Sequence, residues 1–150
     1  MNYESYNAVA VSSDDSIFAF TSIGPKGEIK KIVAIVPTKR PGYYNLGFGD
    51  LHADSSMPDD KVVTSNGDRD KILATIAQIV DRYTTRYPRR WLYLRGSTAA
   101  RSRLYRMAIN ANLAELSAKY EILGAFEDKT PQPFASGVPF DVFLIRRKNY

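Results

Sequence analysis

The stretch RRWLYLRGSTAARSRLYR, residues 89–106, decides the fold. In its first half Trp91, Tyr93 and Arg95 alternate with Leu92 and Leu94, which predicts a short apolar strand with the first three on one face. Gly96 then permits a tight turn, and Ser97 or Thr98 can cap a helix. Tyr105, Ala108, Ile109, Leu116 and Tyr120 recur at helical spacing and carry that helix from about Thr98 to Tyr120.

Upstream, Ile72, Ile76, Ile79, Val80, Tyr83 and Tyr87 give one buried face to a helix from about Asp68 to Tyr87. Asn66 or Asp68 can cap it, and Pro88 stops it. The strand at 91–95 is thus bracketed by helices. It is expected to lie centrally in its sheet and to run parallel to at least one neighbour.

Further out, SIFAFTSIG (16–24) and IKKIVAIVP (29–37) flank the turn GPKGE and read as a β-hairpin. In YYNLGFGDLHA (43–53), Tyr44, Leu46 and Phe48 alternate with Asn45, Gly47 and Gly49, a third strand. DSSMPDDKVVTSNG (54–67) is polar and turn-rich, a long loop or lid. EILGAFED (121–128) and PFDVFLIRRK (139–148) read as two closing strands. The order β-β-β-α-β-α-β-β predicts an α+β fold. It would be a single-domain α/β sandwich over residues 1–150, with two main helices on a mixed, mostly antiparallel sheet.

The composition, 44% hydrophobic and 25% charged, suits a soluble protein, and 150 residues can bury a real core. No apolar run approaches the roughly 20 residues that span a bilayer, so no membrane partner is expected. The first residues lack the basic start and apolar segment of a secretory signal. Cysteine is absent, which removes disulfides and thiolate chemistry and fits a cytoplasmic location.

Net charge is +5, unevenly placed. From Arg82 to Arg106 there are eight arginines and no acid. One arginine-rich side attracts anionic partners, and the guanidinium fork grips phosphate or carboxylate with two bonds. The start of the second helix adds unpaired amides and the positive end of a dipole. The candidate anion-binding residues are therefore Arg95, Gly96, Ser97, Thr98 and Arg101. Arg101 lies about 40° around the helix from Tyr105, while Arg103 points nearly opposite. Ordinary capping explains the same Ser-Thr pair.

Elsewhere, Asp50, His52 and Asp54 share a face if the third strand continues, and His52 is the only histidine. A carboxylate beside an imidazole could move a proton, although surface residues explain the pattern as well. Lys26, Lys30 and Lys31 at the hairpin could touch a nucleic-acid backbone or simply protect a sheet edge. The tyrosines at 43, 44, 83, 87, 93 and 105 could stack on bases, but their spacing places most in the core.

GPKG, YNLGFGD, SNGD followed by KILATIA, and GSTAARSRLYR, in that order, resemble a bacterial family known as an uncharacterised domain. The resemblance covers nearly the whole chain and implies the toxin part of a toxin–antitoxin pair, with an antitoxin or regulator protein as partner. The element order also resembles the GNAT acyltransferase fold. That likeness implies acetyl-CoA bound at the loop before the first helix, and Tyr105 as the general acid. SNGDRDK departs from that loop: only Gly67 is present, and two aspartates would repel pyrophosphate.

The expected function is toxin-like: a phosphate or anion site acting on RNA, nucleotides or the translation machinery. In that reading Arg101 stabilises phosphoryl charge, with Tyr105 or His52 moving a proton. The alternatives are a GNAT-like acyltransferase and a non-catalytic module for an acidic or antitoxin partner. The cofactor and the oligomeric state are left open.

Overall fold

The computed structural model describes residues 4–51, 66–96 and 98–148. The strands are β1 (Val9–Ala10), β2 (Ile17–Gly24), β3 (Gly27–Pro37), β4 (Tyr43–Asp50), β5 (Trp91–Arg95), β6 (Tyr120–Ala125), β7 (Gln132–Pro133) and β8 (Val142–Arg147). The helices are α1 (Arg69–Arg86), α2 (Ala99–Ala111) and α3 (Leu113–Lys119). The fold class is α+β, with mostly antiparallel strands. The backbone forms two compact units, residues 1–36 with 47–86 and residues 37–46 with 87–150. Strand β4 gives its end to the first and its start to the second.

In the first unit β2 and β3 form the expected hairpin, in register from Ile17↔Ala34 to Gly24↔Gly27. The two-residue turn Pro25–Lys26 closes on Gly27 at φ +90, a conformation that favours glycine. Helix α1 buries Ile76, Ile79, Val80 and Tyr83 as its spacing predicted. Burying such aliphatic side chains contributes about 1.5–3 kcal/mol each. Thr75 and Thr84 are also fully buried, with their hydroxyls bonded back to Lys71 O and Val80 O at 2.7 Å.

Lys31 corrects the sequence reading of an exposed basic hairpin. Alternation along β3 leaves Lys30 outside and turns Lys31 inward, where it is fully buried. Its ammonium meets Asp50 Oδ1 at 2.5 Å, and the Phe48 ring lies 5.8 Å away. A charge buried this deeply needs such a partner, because desolvation alone would expel it.

In the second unit β5 is an interior strand, as expected of one bracketed by helices. It pairs in parallel with β4 through Tyr43↔Trp91, Tyr44↔Leu92 and Asn45↔Tyr93. On its other side it runs antiparallel to β8, from Leu92↔Ile145 to Arg95↔Val142. Beyond β8 come β6 and β7. Leu92, Leu94, Phe143 and Ile145 make one buried face of this sheet.

The long second helix is interrupted. At Asn112 the backbone leaves the helical region (φ −119, ψ 24), and the carboxamide donates to Ala108 O at 2.8 Å. Asparagine offers the backbone such a competing bond, which is why helices tolerate it poorly inside. The two-residue strands β1 and β7 were not expected, being too short to show alternation. No described helix is long and apolar enough to cross a membrane.

Candidate functional site

The head of α2 is held by a local network of hydrogen bonds. Thr98 is the cap: its hydroxyl accepts from the Arg101 amide at 3.2 Å and its carbonyl from the Ser102 amide at 3.1 Å. The Gly96 amide donates to Ser102 Oγ at 3.1 Å. Gly96 is required here by close approach, since a Cβ would stand 2.3 Å from Ser102 N. The amides of Arg101 and Ser102 are thus engaged inside the turn. Ser97 and His52 lie outside the described residues.

The other predicted site residues differ in exposure and partners. Tyr105 is buried at 7% exposure, among the core side chains. Arg101 is half-buried, Arg103 is exposed, and Arg106 donates to Phe140 O at 3.4 Å. Arg95 forms an exposed ion pair with Glu127. That pair leads to the feature the sequence did not reveal.

Residues opposite one another in register share a face. Tyr43 and Trp91 therefore stand on one face, followed by Asn45, Tyr93 and Leu144, then Arg95 and Val142. Ala125 lies opposite Val142 on β6. The segment after β6, residues 126–131, rises as a wall over this face, and the two enclose a cleft of about 470 Å³. Ala125, Val142 and Leu144 are its apolar floor. Tyr43, Asn45 and Tyr93 line one side, and Arg40, Glu127, Asp128 and Lys129 bring charge to it.

These side chains are not equally available. Arg40 lies over Tyr43 at 4.2 Å, Tyr43 is stacked on Trp91 at 6.3 Å, and Arg146 lies over Trp91 at 4.4 Å. Those two rings already have stacking partners. Tyr93 has no ring or cation stacked on it among the described residues. Burial, with Glu127 and Asp128 nearby, outweighs Arg95 and holds its phenol above the ordinary value. Tyr93 therefore stays protonated at neutral pH and can donate a hydrogen bond. Among the described residues the Asn45 carboxamide, the Asp128 carboxylate and the Lys129 ammonium have no side-chain hydrogen bond or ion pair.

A family model described as a family of unknown function, DUF6934, matches residues 2–148. The chain belongs to the DUF6934 family. No curated protein matches it, and no solved structure does. The chemistry of this DUF6934 chain therefore has to be read from its own side chains.

A cleft of this size is in the range that holds a small molecule, with an apolar floor and a few convergent polar groups. Arg40 and Lys129 can attract an anionic group, and Asn45, Tyr93 and Asp128 supply donors and acceptors that fix orientation. The sequence signal for it was the shared face of Trp91, Tyr93 and Arg95. What lay opposite them was not legible.

Proposed function

We propose that the cleft of the second unit binds a phosphorylated ligand, a nucleotide or an RNA segment, as the working part of a toxin-like protein acting on RNA, nucleotides or translation. One observation carries this reading: Arg40, Lys129 and the unstacked ring of Tyr93 converge on a single cleft with an apolar floor. Cations suit phosphate, and an uncovered aromatic ring suits a base, whose stacking is worth about 1–3 kcal/mol. The positive net charge favours approach of such a ligand. In this reading Arg95, paired with Glu127, stands at the rim as a third cation, while Thr98 and Gly96 hold the helix head in place. Arg101 and Tyr105 then support the strand-to-helix turn.

Equilibrium titration of the full chain with nucleoside monophosphates and a short single-stranded RNA tests it. Arg40→Ala and Lys129→Ala are each expected to weaken binding about tenfold, the scale of one lost charge-assisted bond, with the melting temperature unchanged. Absence of binding to both ligand classes refutes the proposal.

The acyltransferase reading draws support from the order of the longer elements: strands β2 to β4, helix α1, strand β5, helix α2, then strands β6 and β8. The residues before α1 weigh against it. Asn66 is buried, bonded to Gly27 O at 2.9 Å and to the Lys26 amide at 2.8 Å. Asp68 Oδ2 accepts from Tyr6 and Ser22 at 2.5 Å each. A carboxylate placed there repels pyrophosphate. A thermal shift with acetyl-CoA that is absent for the nucleotides would favour the transferase.

A further inference from the structure

Two aspartates hold left-handed backbone conformations, Asp15 at φ 57 and Asp128 at φ 60. Aspartate tolerates this region better than most residues, yet it remains uncommon outside glycine. Asp15 has a structural reason for its position. Its carboxylate receives Arg82 at 3.2 Å and Arg86 at 3.4 Å, tying its loop to α1. Asp128 is exposed and has no such partner among the described residues, and it lines the cleft. The neighbouring Glu127 is already committed to Arg95.

The cleft therefore offers one uncommitted carboxylate, one uncommitted carboxamide at Asn45, and cations at Arg40 and Lys129. A carboxylate accepts two parallel bonds and donates none. Its complement is a group presenting two adjacent N–H donors. Among the common bases only guanine does so, through N1–H and N2–H beside the O6 acceptor. Adenine and cytosine place a lone pair next to their amino group, and uracil offers one N–H between two carbonyls. A carboxamide can donate to O6 while the carboxylate holds the donor pair. Sites built on such bonds discriminate strongly, because the wrong partner leaves polar groups unpaired.

Resting on the reading of the cleft as a phosphorylated-ligand site, we infer that it selects guanine nucleotides, with Asp128 accepting from N1–H and N2–H and Asn45 donating to O6. Arg40 and Lys129 hold the phosphate, and the base lies against Tyr93.

The test is competition binding of the full chain with GMP, AMP, CMP, UMP and XMP. GMP is expected to bind about tenfold or more tightly than AMP, the discrimination of one good bidentate contact. Asp128→Asn should abolish that ratio by weakening GMP without weakening AMP, and should leave melting unchanged, because asparagine fits a left-handed backbone. It should also raise XMP affinity, since xanthine carries a carbonyl where guanine has its N2 amino group and asparagine can donate to it. Asp128→Gly, equally compatible with the backbone, should lose the ratio without gaining XMP. Equal binding of all five nucleotides, still dependent on Arg40 and Lys129, would overturn guanine selection and leave the phosphorylated-ligand reading standing. A GMP preference that survives Asp128→Asn would do the same. Failure of every nucleotide and of the single-stranded RNA to bind would overturn both.

Discussion

In the first unit Lys31, Asp50 and Asp68 are charged groups taken up by partners inside the fold. Lys31 is buried against Asp50, and Asp68 takes the hydroxyls of Tyr6 and Ser22. In the second unit the charges of Arg40, Asp128 and Lys129 line a cleft instead. The residue types are the same, and burial separates their roles. A buried charge must be paired or the fold fails, whereas a charge at a cleft keeps its water until a ligand replaces it. The first pattern ties residues to stability, and the second leaves them available for binding.

The largest expected effect tests the first half of that contrast. Lys31→Ala strands the Asp50 carboxylate in the interior and should lower unfolding free energy in urea by about 3–5 kcal/mol. Lys31→Met with Asp50→Leu should restore much of that loss. A Lys31→Ala protein as stable as the parent would break the distinction between the two units.

An intermediate effect is expected at Gly96, where the second unit is as strict as the first. A methyl group there meets the backbone of Ser102, so Gly96→Ala should cost about 1–3 kcal/mol by thermal denaturation. A neutral outcome would mean the turn can open.

The smallest effect belongs to the rim. Arg95 and Glu127 are each about half exposed, 50% and 54% by side chain. Such pairs contribute about 1 kcal/mol or less. Arg95→Ala should therefore leave the urea midpoint nearly unchanged, and what it removes should fade at high salt. A loss as large as that of Lys31→Ala would place Arg95 in the framework of the fold rather than at a binding rim.

Much of the architecture was legible because its signals are local. Alternation at 91–95 marked a strand, the Thr98 cap marked a helix start, and the spacing of Ile76, Ile79, Val80 and Tyr83 marked the buried face of α1. The break at Asn112 was missed because apolar spacing continues across it, while the competing bond to Ala108 O depends on one side-chain conformation. Lys31 was misread because three lysines close together look solvated, and the acid that pairs with it stands 19 residues later.

The amino-acid order by itself determined the longer elements, the interior place of β5 and the arginine-rich character of residues 82–106, since periodicity and charge are properties of neighbouring residues. Only the tertiary structure decided that Tyr93 lies between Asn45 and Leu144, and that residues 126–131 wall the cleft above them. Those relations follow from strand register between segments far apart in the chain. Register is fixed when whole faces are buried together, and no short window of sequence contains it.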